Sequence, residues 1–146
     1  MGAGLSAELL LDNSAFARLT ALALEEGRVL EIAEAIEQRR VGTCLPFLLE
    51  AGYSARNVAD HDELLRELRA FPMLHIDTEV EWRALDAQRQ LARAGHHRLP
   101  PVDLIIAALA DRHGVGVLHY DRDYDTIAAK TDLGFASVWL ATRGSL

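Results

Sequence analysis

Cysteine is almost absent from this chain of 146 residues. Cys44 stands alone, which excludes an intrachain disulfide and a cysteine-based metal site and fits a reducing, cytoplasmic home. Long apolar runs are missing too. Stretches such as Leu104 to Ala110 fall far short of a membrane span, and no Lys or Arg precedes the short apolar segment near the N-terminus. Neither membrane insertion nor export is expected. Basic residues are outnumbered: 15 Lys and Arg against 22 Asp and Glu leave a formal charge of −7. A broadly positive surface that holds nucleic acid by general attraction is therefore excluded. A nucleic-acid substrate is not, because acids gathered around cations are neutralised where they meet. Repeats, low-complexity tracts and linkers are lacking as well, so residues 1–146 are expected to form one domain with a real core.

What is present is an alternation of short apolar strands and helices. Glu8 to Asp12, Val41 to Cys44, Leu74 to Ile76, Val115 to Tyr120 and a last segment through Val138 to Leu140 read as strands. Between them, helical spacing predicts a helix from a Ser14 cap to Gly27 and others over Val29 to Gln38, Pro46 to Arg56 and Asp60 to Ala70. A long helix capped by Thr78 runs to Gly95, and one over Pro101 to His113 precedes a short helix around Ile127. This order predicts an α/β fold with a mostly parallel central sheet covered on both faces. Ligands of such sheets sit beyond the carboxyl ends of the strands.

Acids stand where that rule looks for a site. Asp12 and Asp121 each follow an apolar strand, and Asp103 lies in the first turn of a helix that is apolar on every side. Glu50 interrupts the apolar run "FLLEAGY". Each has a plainer reading: Asp12 and Asp103 as residues typical of helix starts, Glu50 as part of an exposed stripe. In "DRDYD", a continued strand would point Asp121 and Asp123 to one side, which is unfavourable without a cation between them, and Asp125 would cap the short helix. Four acids from separate segments make joint sense around a divalent cation with hard oxygen ligands, Mg²⁺ or Mn²⁺. Other residues carry less. His96 and His97 fit a solvated loop, His119 a core position, and Trp82 and Trp139 packing roles; Arg18, Arg56 and Arg122 are unranked candidates for touching a nucleic-acid substrate, if there is one.

Taken in order, "LLLDNSAF", Glu50 in its apolar helix, "PPVDLIIAALADRHG" and "VLHYDRDYDTIA" resemble the PIN domain of VapC-type toxins from bacterial toxin–antitoxin pairs. The resemblance covers nearly the whole chain. It implies a PIN-like three-layer α/β/α fold and a metal-dependent endoribonuclease whose acidic tetrad falls on Asp12, Glu50, Asp103 and Asp121. Asp123 would be an additional metal-site acid and Ser14 a supporting hydroxyl. It also implies one or two Mg²⁺ or Mn²⁺ ions, an RNA substrate, a cognate antitoxin and a homodimer. The departures are Asn13 where Thr is common and Tyr124 where Phe is common. Two rivals stay open: a catalytically inactive binding module of the same fold, and a metal-dependent DNA nuclease. A phosphoacceptor receiver-like domain is disfavoured, since its lysine near a late strand end is missing.

Overall fold

A computed structural model describes residues 7–146. Four strands form an all-parallel sheet: β1 (Leu9–Leu11), β2 (Val41–Gly42), β3 (Gly116–His119) and β4 (Ser137–Trp139), in the spatial order β2-β1-β3-β4. β1 is central, its Leu9 facing both Val41 and Gly116 in register. Leu10 and Leu11 are both fully buried, as are Val117 and Leu118. Successive strand side chains point to opposite faces, so helices must cover the sheet on both sides. The result is a three-layer α/β/α arrangement. Gly116 is required by closeness: a Cβ there would lie 3.0 Å from the Ala136 carbonyl oxygen and 3.2 Å from a Leu9 methyl carbon.

The helices are α1 (Asn13–Phe16), α2 (Glu26–Glu37), α3 (Leu45–Tyr53), α4 (Val58–Leu68), α5 (Thr78–Arg93), α6 (Pro101–His113) and α7 (Asp123–Lys130). α6 is the hub. It packs on β1 and β3 and against α3, α5 and α7, with Leu104 and every residue from Ile106 to Ala110 buried. Pro101 suits its first turn, and Gly114, at φ 67°, ends it in the left-handed conformation that glycine adopts without strain. α5 presents Val80, Ala87 and Leu91 to this core, a stripe at helical spacing.

Several expectations need correction. The first helix stops at Phe16, and residues up to Leu24 form turns closed by bonds between residues three apart, such as Arg18 N–H to the Ala15 carbonyl. Of the apolar residues whose spacing suggested a longer helix, Phe16 and Leu19 pack against the core while Leu22 is fully exposed. No strand forms at the expected Leu74 to Ile76: the preceding Met73 makes an isolated bridge to Thr43 beside the end of β2, and Leu74 N–H donates to the Thr43 carbonyl at 2.8 Å. α5 is capped by Asp77, which accepts from Val80 N–H at 2.9 Å, and not by Thr78.

Candidate metal centre

The strand order reverses between β1 and β3: β2 lies on one side of β1, and β3 followed by β4 on the other. At such a switch point the connections leave in opposite directions and open a crevice at the carboxyl ends. Asp12 directly follows β1, and Asp121 lies just past β3.

Asp12 is 3% exposed. Its carboxylate caps α1: Oδ2 accepts from Ser14 N–H at 3.0 Å and from Ser14 Oγ at 2.6 Å. The cap is thus Asp12 itself, while Ser14 has a different task. Its Oγ also accepts from Tyr120 N–H at 2.8 Å, tying the end of β1 to the end of β3. The second oxygen, Asp12 Oδ1, accepts from the Tyr124 hydroxyl at 2.7 Å.

Asp103 lies on the first turn of α6, 6% exposed. Its Oδ1 is 3.4 Å from the same Tyr124 hydroxyl, and its Oδ2 is buried with no hydrogen-bond partner among the described residues. Burial, then repulsion from Asp12, Asp121, Asp123 and Glu50, pushes its carboxyl from the ordinary 3.8 up to about 8. A helix start favours an anion by about 0.3–1 kcal/mol. Each pH unit of displacement is worth about 1.4 kcal/mol, so the helix end is outweighed. A buried acid of this kind either holds a proton or takes a cation.

Asp121 and Asp123 are half-buried. β3 ends at His119 and Asp123 opens α7, so the two acids do not continue one strand face as expected. A turn brings them together instead, with Asp123 N–H donating to Asp121 Oδ1 at 3.0 Å. Burial and the charge of Asp121 raise the Asp123 carboxyl, and Arg122 partly offsets this. Oxygens of Asp103, Asp121 and Asp123 all lie within 4.8 Å of one another. Three carboxylates at that spacing offer the hard oxygen donors that Mg²⁺ or Mn²⁺ takes. The unpartnered Asp103 Oδ2 supplies an independent reason to place a cation there.

Glu50 stands apart from that trio, exposed on α3. Its carboxyl is raised by partial burial and by the charges of Asp12 and Asp121, which puts it on the rim of the same crevice. The trio therefore differs from the expected four: Asp123 joins it, while Asp12 is engaged by Ser14 and Tyr124.

Three surrounding residues have roles that the sequence did not disclose. Tyr124, expected to be a minor departure, is fully buried between Asp12 and Asp103. The signal was available: it shares the inward side of α7 with Ile127, in a segment crowded with acids. His119 is the core residue expected, stacked on Tyr124 at 4.8 Å between ring centres. Its Nδ1 accepts from Asp121 N–H at 3.1 Å, so the ring proton is on Nε2 and donates to Ser137 Oγ at 2.7 Å. Burial lowers its affinity for a second proton. Asp125 does not cap α7; it lies within the helix and accepts from Ser137 Oγ at 2.6 Å and Trp139 Nε1 at 2.9 Å. Trp139 packs as expected, edge-on to His119 and Tyr120, whereas Trp82 is 67% exposed on α5. His96 and His97 are exposed in the loop before α6.

Residues 9–130 match the family model for the PIN domain. Ribonuclease VapC18 of Mycobacterium tuberculosis is 38% identical over 115 residues, covering 77% of this chain and 82% of that protein. Ribonuclease VapC51 of the same organism is 36% identical over 138 residues, covering 94% and 96%. Among solved structures, a DNA-bound VapBC from Salmonella typhimurium superposes with a TM-score of 0.70 at 17% identity, covering 92% of this chain and 99% of that one, which speaks to the fold. Fold, acid placement and sequence agree, and the chain belongs to the PIN-domain family.

Proposed function

We propose that this protein is the toxin of a toxin–antitoxin pair, a metal-dependent endoribonuclease acting through Asp12, Glu50, Asp103 and Asp121, with Asp123 completing the metal site. The observation that carries the reading is the buried, unpartnered Oδ2 of Asp103 beside two further carboxylates at a topological switch point. Relatives named ribonucleases, at 36–40% identity over most of the chain, support the activity. A bound Mg²⁺ or Mn²⁺ would lower the pKa of a coordinated water and shield charge on the phosphate and the leaving oxygen. Asp103, Asp121 and Asp123 would hold it. Asp12, fixed at both oxygens by Ser14 and Tyr124, shapes the charge of the crevice and holds its wall. Glu50, exposed on the rim beside Asn13, would orient the attacking water for in-line displacement. The expected products carry 5′-phosphate and 3′-hydroxyl ends.

An antitoxin partner is supported by the shared fold of solved VapBC complexes. A homodimer would use exposed apolar residues early in the chain, where Leu22, Val29 and Leu30 face solvent. No helix among the described residues is long and apolar enough to cross a membrane. We read the chain as one cytoplasmic domain. The test is cleavage of structured and single-stranded RNAs, beside matched DNA strands, by antitoxin-free protein with Mg²⁺ or Mn²⁺. EDTA and Asp121→Asn should each abolish RNA cutting. Cutting of DNA alone would replace the substrate, and metal binding without any cutting would favour the inactive module.

A further inference from the structure

A cleft of about 700 Å³ opens between the segment that leads into α2 and the segment that follows β4, and Asp125, two residues after Asp123, is part of its lining. Its volume falls in the usual range of small-ligand sites, about 300–1,000 Å³. Leu24, Glu25, Trp139, Thr142 and Arg143 line it, and the exposed Asp125 adjoins Trp139. The wall is rigid. Arg28 donates to the main-chain oxygens of Trp139 at 3.0 Å and Leu140 at 2.9 Å, so the end of the edge strand is held in place. A continuous chain of hydrogen bonds, from Asp121 N–H through His119, Ser137 and Asp125 to Trp139 Nε1, fixes the indole relative to the acids.

Five arginines are ion-paired among the described residues and the rest are not; what distinguishes Arg18, Arg122 and Arg143 among the latter is their place beside the acids or the cleft. Arg56, Arg83 and Arg112 are each spent on carboxylates: Asp60, the pair Asp111 and Asp132, and the pair Asp77 and Glu79. Arg18, Arg122 and Arg143 make no ion pair among the described residues. All three stand near the acids or the cleft: Arg18 lies over the Tyr120 ring, Arg122 separates Asp121 from Asp123, and Arg143 lines the cleft. Both oxygens of Asp125 are taken by Ser137 and Trp139, so it makes no direct ion pair with Arg143, although the two charges act on each other. On the opposite rim, the groove formed by Leu45, Leu49, Tyr53, Ile76 and Val102 next to Glu50 contains no cation. A half-buried indole with Arg143 in the same cleft, and Arg122 between the acids, suits a base and its phosphates; an apolar groove lined by no basic residue does not.

We propose, resting on the ribonuclease reading, that the cleft beside β4 is the nucleotide subsite of the enzyme. A base of single-stranded RNA next to the scissile phosphate packs on Trp139, and Arg143 and Arg122 neutralise the flanking phosphates. Arg56, on this view, does not contact RNA.

Tryptophan emission tests this directly, since Trp82 and Trp139 are the two indoles of the chain. In the Trp82→Phe, Asp121→Asn protein with Mg²⁺, a pool of short single-stranded RNA of random sequence should change Trp139 emission saturably, and less as salt rises. In Trp139→Phe, Asp121→Asn, the same RNA should leave Trp82 emission unmoved. In the cleaving enzyme, Arg143→Ala should raise KM about tenfold while lowering kcat much less. Arg143 is exposed, so this variant should fold as the parent does. If the wild type cuts RNA but Trp139 emission is indifferent to it and Arg143→Ala keeps its KM, the subsite is refuted and the ribonuclease stands. If the wild type cuts no RNA, both readings fall together. A response to a peptide from the antitoxin, with none to RNA, overturns the proposal in favour of a protein-binding cleft.

Discussion

α6 contains two regions with opposite physics. From Leu104 to Ala110 it is an apolar rod at the centre of the core. In the first turn, immediately before it, Asp103 is buried with an unpartnered oxygen, and burial first, then four neighbouring acids, raise its proton affinity. The rod stabilises the fold, and the first turn stores repulsion that a cation can relieve. Stability and chemistry are thus assigned to adjacent turns of one helix, and substitutions at each should separate them.

The largest contrast should come from one substitution in the acid cluster that Asp103 belongs to and one in the rod. Asp121→Asn is expected to reduce metal-dependent RNA cleavage at least a hundredfold with little loss of stability, while Leu109→Ala should cost about 2–5 kcal/mol in denaturant unfolding. An Asp121→Asn protein that unfolds as easily as Leu109→Ala would break the division.

Next in size is the response of Asp103 to pH. Its folded carboxyl titrates near 8 against an ordinary 3.8, so between those values the metal-free folded state keeps a proton that the unfolded chain has released. Its contribution to stability is complete below about 3.8 and is lost as pH rises through about 8. The metal-free wild type should therefore lose melting temperature relative to Asp103→Asn as pH rises from 4 towards 8, roughly the interval between the two titrations. Adding Mg²⁺ or Mn²⁺ should restore the wild type and leave the variant unmoved. Parallel pH profiles of the two proteins would remove the stored repulsion from the account.

Tyr124→Phe is subtler, since it deletes only the hydroxyl between Asp12 and Asp103. The metal-free protein should lose about 1–3 kcal/mol, because Asp12 Oδ1 keeps its charge and loses its donor. The rise in melting temperature on adding metal should become larger than in the wild type. Smallest of all, Arg56→Ala should change stability by no more than about 0.5 kcal/mol and leave cleavage alone, as expected of an exposed pair with Asp60.

Much of this was legible in the sequence where the cause is local. The extent of α6 follows from its prolines, its continuous apolar run and Gly114, all within one short stretch. Asp12 and Asp103 were placed by the ends of the elements that carry them. The turns after Phe16 were not, because helical spacing of apolar residues is also met by a tight coil that leaves Leu22 in water. The strand expected at Leu74 to Ile76 failed for lack of a continuous partner, which composition does not reveal. Tyr124, Asp125 and the cleft depend on contacts between distant segments. The bond from Trp139 to Asp125 or from Tyr124 to Asp12 has no local signature.

The Ser14 hydroxyl, held between Asp12 and the backbone of Tyr120, spans 106 positions of sequence. Closing such a long loop is entropically slow, and parallel pairing of β1 with β3 makes it slower than local helix formation. Synthesis runs from the N-terminus, so Asp12 and Glu50 emerge long before Asp103, Asp121 and Asp123. A nascent chain therefore carries two of the five site acids harmlessly dispersed. The acid cluster comes into being only when the ends of β1 and β3 meet, which makes it one of the last features of the molecule to form.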